Sequence, residues 1–172
     1  FGDADQDIIL GDQGSVDFID AVIDGATTDP TSLDVVTTTD PTLGGVDTVE
    51  GGTGSDIVIG GTAGDILFGD DADPTSGDAD LILGEQALSG RELLDSSTST
   101  LGLATLPVPD FTYTSINTDD MGGAGADTIR GDGGPDIILG QQGTDDIFGD
   151  DGDDDIIGGH NVLDGFDDAD DI

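Results

Sequence analysis

An all-β fold, built as a parallel solenoid of short strands, is predicted by three features of this sequence. A nine-residue period with glycine first and fourth, aspartate sixth and a large aliphatic residue eighth runs along the chain. Places seven to nine of each period are mostly Ile, Val, Leu, Thr and Phe, which favour strands. The composition also starves a conventional core: among 172 residues there are 30 glycines and only 4% aromatics.

The period is clearest in residues 122–157, which divide without a gap into GGAGADTIR, GDGGPDIIL, GQQGTDDIF and GDDGDDDII. Glycine tolerates positive φ and close backbone approach, so glycines at places one and four let the first six residues turn sharply. The last three residues form a strand whose alternation sends place eight to one face and places seven and nine to the other. Two units make one coil, and coils stack at the strand spacing of about 4.8 Å into parallel sheets. Equivalent turns then lie above one another. Asp127 is expected beside Asp145, Asp136 beside Asp154, and Asp47 beside Asp65.

Taken in order, the chain opens with GDADQDIIL (2–10) and a degenerate unit, GDQGSVDFI (11–19), in which Val16 replaces the sixth-place aspartate. Residues 20–43, rich in Thr, Pro and Asp, break the period and read as a loop or protruding hairpin. GGTGSDIVI (51–59) and GGTAGDILF (60–68) restore it, the second with Ala63 at place four. A looser copy ends in Asp80-Leu81-Ile82-Leu83, followed by a degenerate unit near Gly84. Residues 88–121 are the second insertion. After the tandem block, GGHNVLDGF carries Leu163 at place six, and the chain closes on Asp170-Asp171-Ile172. The two insertions follow similar stretches, GDADQDIILGDQ and GDADLILGEQ, as an internal duplication would leave them. Ninth-place residues such as Leu10, Ile59, Phe68, Leu83, Leu139, Phe148 and Ile157 are expected to point outward and to need cover.

Charge narrows the chemistry. With 40 acidic residues against two basic ones, Arg91 and Arg130, the formal charge is -38. Such a chain stays expanded by self-repulsion unless something neutralises it. Phosphate-rich partners need Lys and Arg, so nucleic acid and anionic membranes are excluded as partners, and no apolar stretch is long enough to insert in a bilayer. Without cysteine, hard oxygen atoms are the abundant donors, and they favour calcium. Stacked carboxylates repel unless an ion lies between them, and Ca²⁺ takes six to eight carboxylate and carbonyl oxygens. Multiple Ca²⁺ ions are therefore expected at the sixth-place aspartates: Asp7, Asp47, Asp56, Asp65, Asp80, Asp127, Asp136, Asp145, Asp154 and Asp170. Turns near Val16, Ala63, Gly84 and Leu163 are expected to bind weakly or not at all. Catalysis finds no support: His160 lies in an expanded turn, and GxSxG, HExxH and GxxxxGK[ST] motifs are missing from the sequence.

These units resemble the RTX family, the hemolysin-type calcium-binding nonapeptide GGxGxDxUx. The resemblance implies a parallel β-roll with calcium between turns, position-six aspartates and turn carbonyls as ligands, and secretion to the cell exterior at a bacterial surface. One β-roll over residues 1–172 is expected, with the insertions at 20–43 and 88–121. Its expected role is a non-enzymatic structural module in an extracellular filament, surface layer or giant adhesin. Two alternatives stand beside it: the C-terminal folding and export domain of an RTX enzyme or toxin, and a ligand-binding adhesin module acting through the insertions. Residues 165–172 lack only the ninth residue of a unit, which Phe1 would supply. End-to-end self-association or a longer tandem array is therefore expected, with the insertions as lateral contacts.

Overall fold

The computed structural model describes residues 1–17, 35–40, 42–70, 78–85 and 125–159. Among the described residues every regular element is a strand: β1 (Ile8–Leu10), β2 (Gly14–Asp17), β3 (Val35–Thr38), β4 (Thr48–Gly52), β5 (Ile57–Ile59), β6 (Ile66–Asp70), β7 (Leu81–Leu83), β8 (Thr128–Arg130), β9 (Ile137–Leu139), β10 (Asp146–Phe148) and β11 (Asp155–Ile157). Nine of them form two parallel sheets, ordered β1-β5-β7-β9-β11 and β10-β8-β6-β4. Successive units alternate between the sheets, so the chain winds as a parallel β-roll. Registers align like with like: Val58 pairs with Ile82, Ile82 with Ile138, and Ile138 with Ile156, all at place eight.

The eighth-place residues make the interior. Val49, Val58, Leu67, Ile82, Ile129, Ile138 and Ile147 are buried in one cluster between the sheets, with Ile9 and Ile156 at its ends. Between the sheets each strand contributes one methyl-rich side chain, and parallel stacking makes that row continuous.

The outward faces differ between the sheets. On the five-stranded sheet, Ile57, Ile59, Leu81, Leu83, Ile137 and Leu139 at places seven and nine form a second buried cluster with Val36. Both faces of this sheet are therefore apolar, as in parallel sheets covered on both sides. On the four-stranded sheet Ile66 is 40% and Phe148 43% exposed. There Arg130 lies 4.4 Å over the Phe148 ring and pairs with Asp150 at 2.9 Å. The expected outward direction of place nine is observed, and the need for cover is met on one sheet only.

Part of that cover is a hairpin. Strands β2 and β3 pair antiparallel, with Val16 opposite Val36, and both valines pack on the five-stranded sheet. The degenerate unit at 11–19 would, as one more repeat, add a strand to the roll. Instead it leaves the roll, because Val16 at place six offers an apolar side chain where the turn needs a carboxylate. The hairpin expected from the first insertion is thus partly described, whereas the second insertion, His160, Leu163 and Asp170 lie outside the described residues.

Two places in the turn carry the backbone demand. Gly134 at place four has φ 116°, and Ala63 at the same place has φ 90°, a conformation that L side chains rarely adopt. Gly131 at place one is required for room: a Cβ there would strike the Asp136 carboxylate and the Gly149 carbonyl of the next coil. Glycine is thus needed at place one for approach, and at place four for left-handed backbone at Gly134 and for room at Gly152, where a Cβ would strike the Gly134 carbonyl.

Replacing Ile138 by Ala is expected to lower stability by about 2–5 kcal/mol through an unfilled cavity, whereas Ile66→Ala should cost under about 1 kcal/mol. Denaturant unfolding in calcium measures both. Equal losses would place the interior elsewhere. Ala63→Gly should raise stability by about 1 kcal/mol by releasing the left-handed strain, as read by the thermal midpoint.

Candidate metal centre

Each sixth-place aspartate ends a turn and precedes a strand, so the parallel register that aligns the strands also aligns the carboxylates. Two columns result. In one, the Asp7 N–H donates to Asp56 Oδ1 at 2.7 Å, Asp56 to Asp80 at 2.8 Å, Asp80 to Asp136 at 2.9 Å and Asp136 to Asp154 at 3.1 Å. In the other, Asp47 donates to Asp65 at 2.9 Å, Asp65 to Asp127 at 2.8 Å and Asp127 to Asp145 at 3.0 Å. The three neighbour pairs expected from sequence are all present. Nine of the ten candidate aspartates stand in these columns, and Asp170 lies outside the described residues.

Every link uses Oδ1 and leaves Oδ2 for something else. Asp56, Asp80 and Asp136 in one column and Asp65 and Asp127 in the other are at most 2% exposed, and their Oδ2 atoms are buried without a hydrogen-bond donor. A buried, unsatisfied carboxylate oxygen is costly, so repetition at five sites points to a missing positive charge. These oxygens face the first-place glycines. A Cβ on Gly84 would lie 2.5 Å from both Asp127 Oδ2 and the Gly140 carbonyl oxygen. Carboxylate and carbonyl oxygens thus border one glycine-lined space at each turn.

That donor set fits a hard cation such as Ca²⁺. Among the described residues no three acidic or histidine side chains converge on a common point. An ion held here must therefore take main-chain carbonyls as well as paired aspartates, which is why the turn needs glycine at place one.

Burial opposes ionisation at six of the column aspartates. It pushes Asp136 up to about 9 and Asp80 up to about 8, with the adjoining carboxylates adding to the rise and backbone N–H donation opposing it. Asp65 and Asp127 are pushed to about 7 and Asp56 to about 6 by the same causes. Asp47 is raised by burial and by Asp12.

The second place of the interrupted turns was missed by sequence reasoning. Asp12, Asp70 and Glu85 each follow a first-place glycine where the chain departs into extra residues, and each accepts main-chain N–H groups. A third, short interruption between Gly69 and Asp80 was read only as a looser copy. The signal was present in the paired stretches ending GDQ and GEQ, which align Asp12 with Glu85.

The RTX calcium-binding nonapeptide repeat model matches residues 42–75 and 121–156, in 4 copies. These stretches are RTX calcium-binding nonapeptide repeats, and the parallel β-roll is the fold such repeats form. No curated protein and no solved structure matches the chain.

Asp136→Ala should remove one side of an oxygen pair and lower calcium affinity, whereas Asp132→Ala, at place two of the same turn, should change it much less. Isothermal titration compares them, and equal losses would show that place six is not the ligand position. The raised carboxylates also set a pH dependence. Their folded values exceed the unfolded value, so without cation the fold is most stable at low pH and loses that stability as pH rises through about 6 to 9. In excess chelator, the folded fraction read by circular dichroism should fall with rising pH across that window. Calcium affinity should rise over the same range, because the ligands must be deprotonated.

Proposed function

We propose that this chain is a secreted structural module, a calcium-stiffened segment of an extracellular filament, surface layer or giant adhesin. RTX repeats are calcium-binding modules, and that much follows from the family match. The observation that carries the finer reading is the continuity of the two aspartate columns. Each column joins every described coil in its sheet to the next through a carboxylate, and at Asp56, Asp65, Asp80, Asp127 and Asp136 that carboxylate has a second, buried oxygen without a hydrogen-bond donor. A cation between neighbouring aspartates would cross-link successive coils, so the roll would stiffen along its axis. RTX proteins are typically secreted by bacteria, and an exterior rich in calcium suits ions that must offset a charge of -38.

End-to-end association is part of this reading. Among the described residues β1 and β11 close the five-stranded sheet, and β4 and β10 close the other. Outer strands with free main-chain groups are templates for further pairing. A second copy continuing the coil would extend both sheets and both aspartate columns, with the insertions as lateral contacts.

Calcium removal tests the stiffening. Chelator at about pH 9, where the raised carboxylates lose their protons, should abolish most of the β signal in circular dichroism, and added calcium should restore it. In calcium, electron microscopy of concentrated protein should show filaments. An unchanged β signal after chelation would refute calcium-coupled folding, and monodisperse monomers in calcium would refute the filament.

A further inference from the structure

In uninterrupted turns the coils are also linked at places two and three, through main-chain atoms. The Thr53 N–H donates to the Asp3 carbonyl at 3.1 Å, and the Asp151 N–H to the Asp132 carbonyl at 2.8 Å. Both bonds run from place three of one coil to place two of the coil before it. Of the two acceptors, Asp132 has left-handed backbone with φ 67° and Asp3 does not; Gln141 and Asp150 at the same place have φ of 75° and 65°.

The two turns that carry the long insertions break this pattern in the same way. At place two they have Asp12 and Glu85, neither with positive φ. The Thr62 N–H, at place three of the following coil, donates to Asp12 Oδ2 at 2.6 Å. The main-chain N–H of Gln142, also at place three of the following coil, donates to the Glu85 carboxylate. In both cases a side-chain oxygen stands in for the main-chain oxygen of the same place. Each carboxylate also reaches the returning end of its own insertion. Asp12 Oδ1 accepts the Gly45 N–H at 3.2 Å, and Glu85 Oε1 accepts the Gly125 N–H at 2.7 Å. Gly45 and Gly125 both occupy place four. Asp70, at place two of the short interruption, keeps the first of these bonds, accepting the Gly133 N–H at 3.3 Å.

We propose that Asp12 and Glu85 are neck staples: each carboxylate replaces a main-chain link between coils and ties the two ends of an insertion together where the chain leaves the roll. The reason is geometric. Where the chain departs at place two, its carbonyl no longer faces the next coil; that of Glu85 accepts the Gly61 N–H of the preceding coil at 3.1 Å instead, so the next coil's place-three N–H needs another acceptor. A short acidic side chain restores an acceptor at that point while its backbone turns away. Its second oxygen closes the neck. These residues are thus positioning residues for the insertions, acting through hydrogen bonds and not as members of the cation cages. The inference stands whether or not the filament reading does.

Amide hydrogen exchange of the full chain in calcium, resolved by residue, tests it. Glu85→Ala should speed exchange at Gly125 and Gln142 by about tenfold, and Asp12→Ala should do the same at Gly45 and Thr62. Amides in β5, β9 and β11 should keep their protection. Glu85→Gln and Asp12→Asn retain one acceptor, so they should lose protection at one donor amide while keeping the parent's calcium stoichiometry; they carry the test if an alanine variant does not fold. Unchanged exchange at the four donor amides would overturn the proposal. Loss of a bound calcium in Glu85→Gln or Asp12→Asn would also overturn it, by making these residues ion ligands.

Discussion

The structure depends on one contact repeated up two columns: a sixth-place aspartate whose N–H is received by one carboxylate oxygen of the next coil while, in the middle coils, its own second oxygen is buried. The hydrogen bond fixes the vertical spacing and the register. The buried oxygen sets the condition for folding, because a stack of ionised carboxylates in a desolvated column repels itself. Two kinds of positive charge relieve it. A divalent cation does so without neutralising the ligands, and a proton does so by removing the charge, which is why the columns favour protonation far above the usual carboxylate range. At alkaline pH only the cation remains.

Everything else in the coil adapts to that contact. First-place glycines are required because the carboxylate and a carbonyl from the next coil occupy the room a side chain would need. The strands are three residues long in most units because the turn consumes the other six. One aliphatic residue per strand fills the space between the sheets because vertical stacking aligns each with its equivalents. The roll is thus a one-dimensional solid in which each coil is held by its neighbours. Insertions are tolerated provided the links between coils survive, and Asp12 and Glu85 show how that is arranged where the chain leaves.

Much of this was legible in the sequence because the period is strict. Four ungapped units disclosed the turn, the strand, the inward place and the stacking of sixth-place carboxylates, and hence the pairing of Asp127 with Asp145. The difference between the two sheets was also present but needed an eighteen-residue period to see. In the five-stranded sheet IVI, LIL and IIL are apolar at places seven and nine and only the outer DII is mixed, whereas in the other TVE, TIR and DIF are mixed and only ILF is apolar. Grouping all ninth-place residues together hid that alternation. The unit around Val16 was misplaced because a period alone cannot distinguish a degenerate coil from a chain that has left it. Asp12 and Glu85 escaped notice because place two is variable in the motif, and their role depends on residues more than thirty positions away.

The central claim is that cations lie between stacked sixth-place aspartates, and locating the ions tests it most directly. Crystals grown with a lanthanide in place of calcium would give anomalous peaks at the ion positions. The account predicts peaks in two columns, each beside an Oδ2 atom such as those of Asp136 or Asp127 and near the first-place carbonyls. An ordered roll with no peaks in those columns would contradict it.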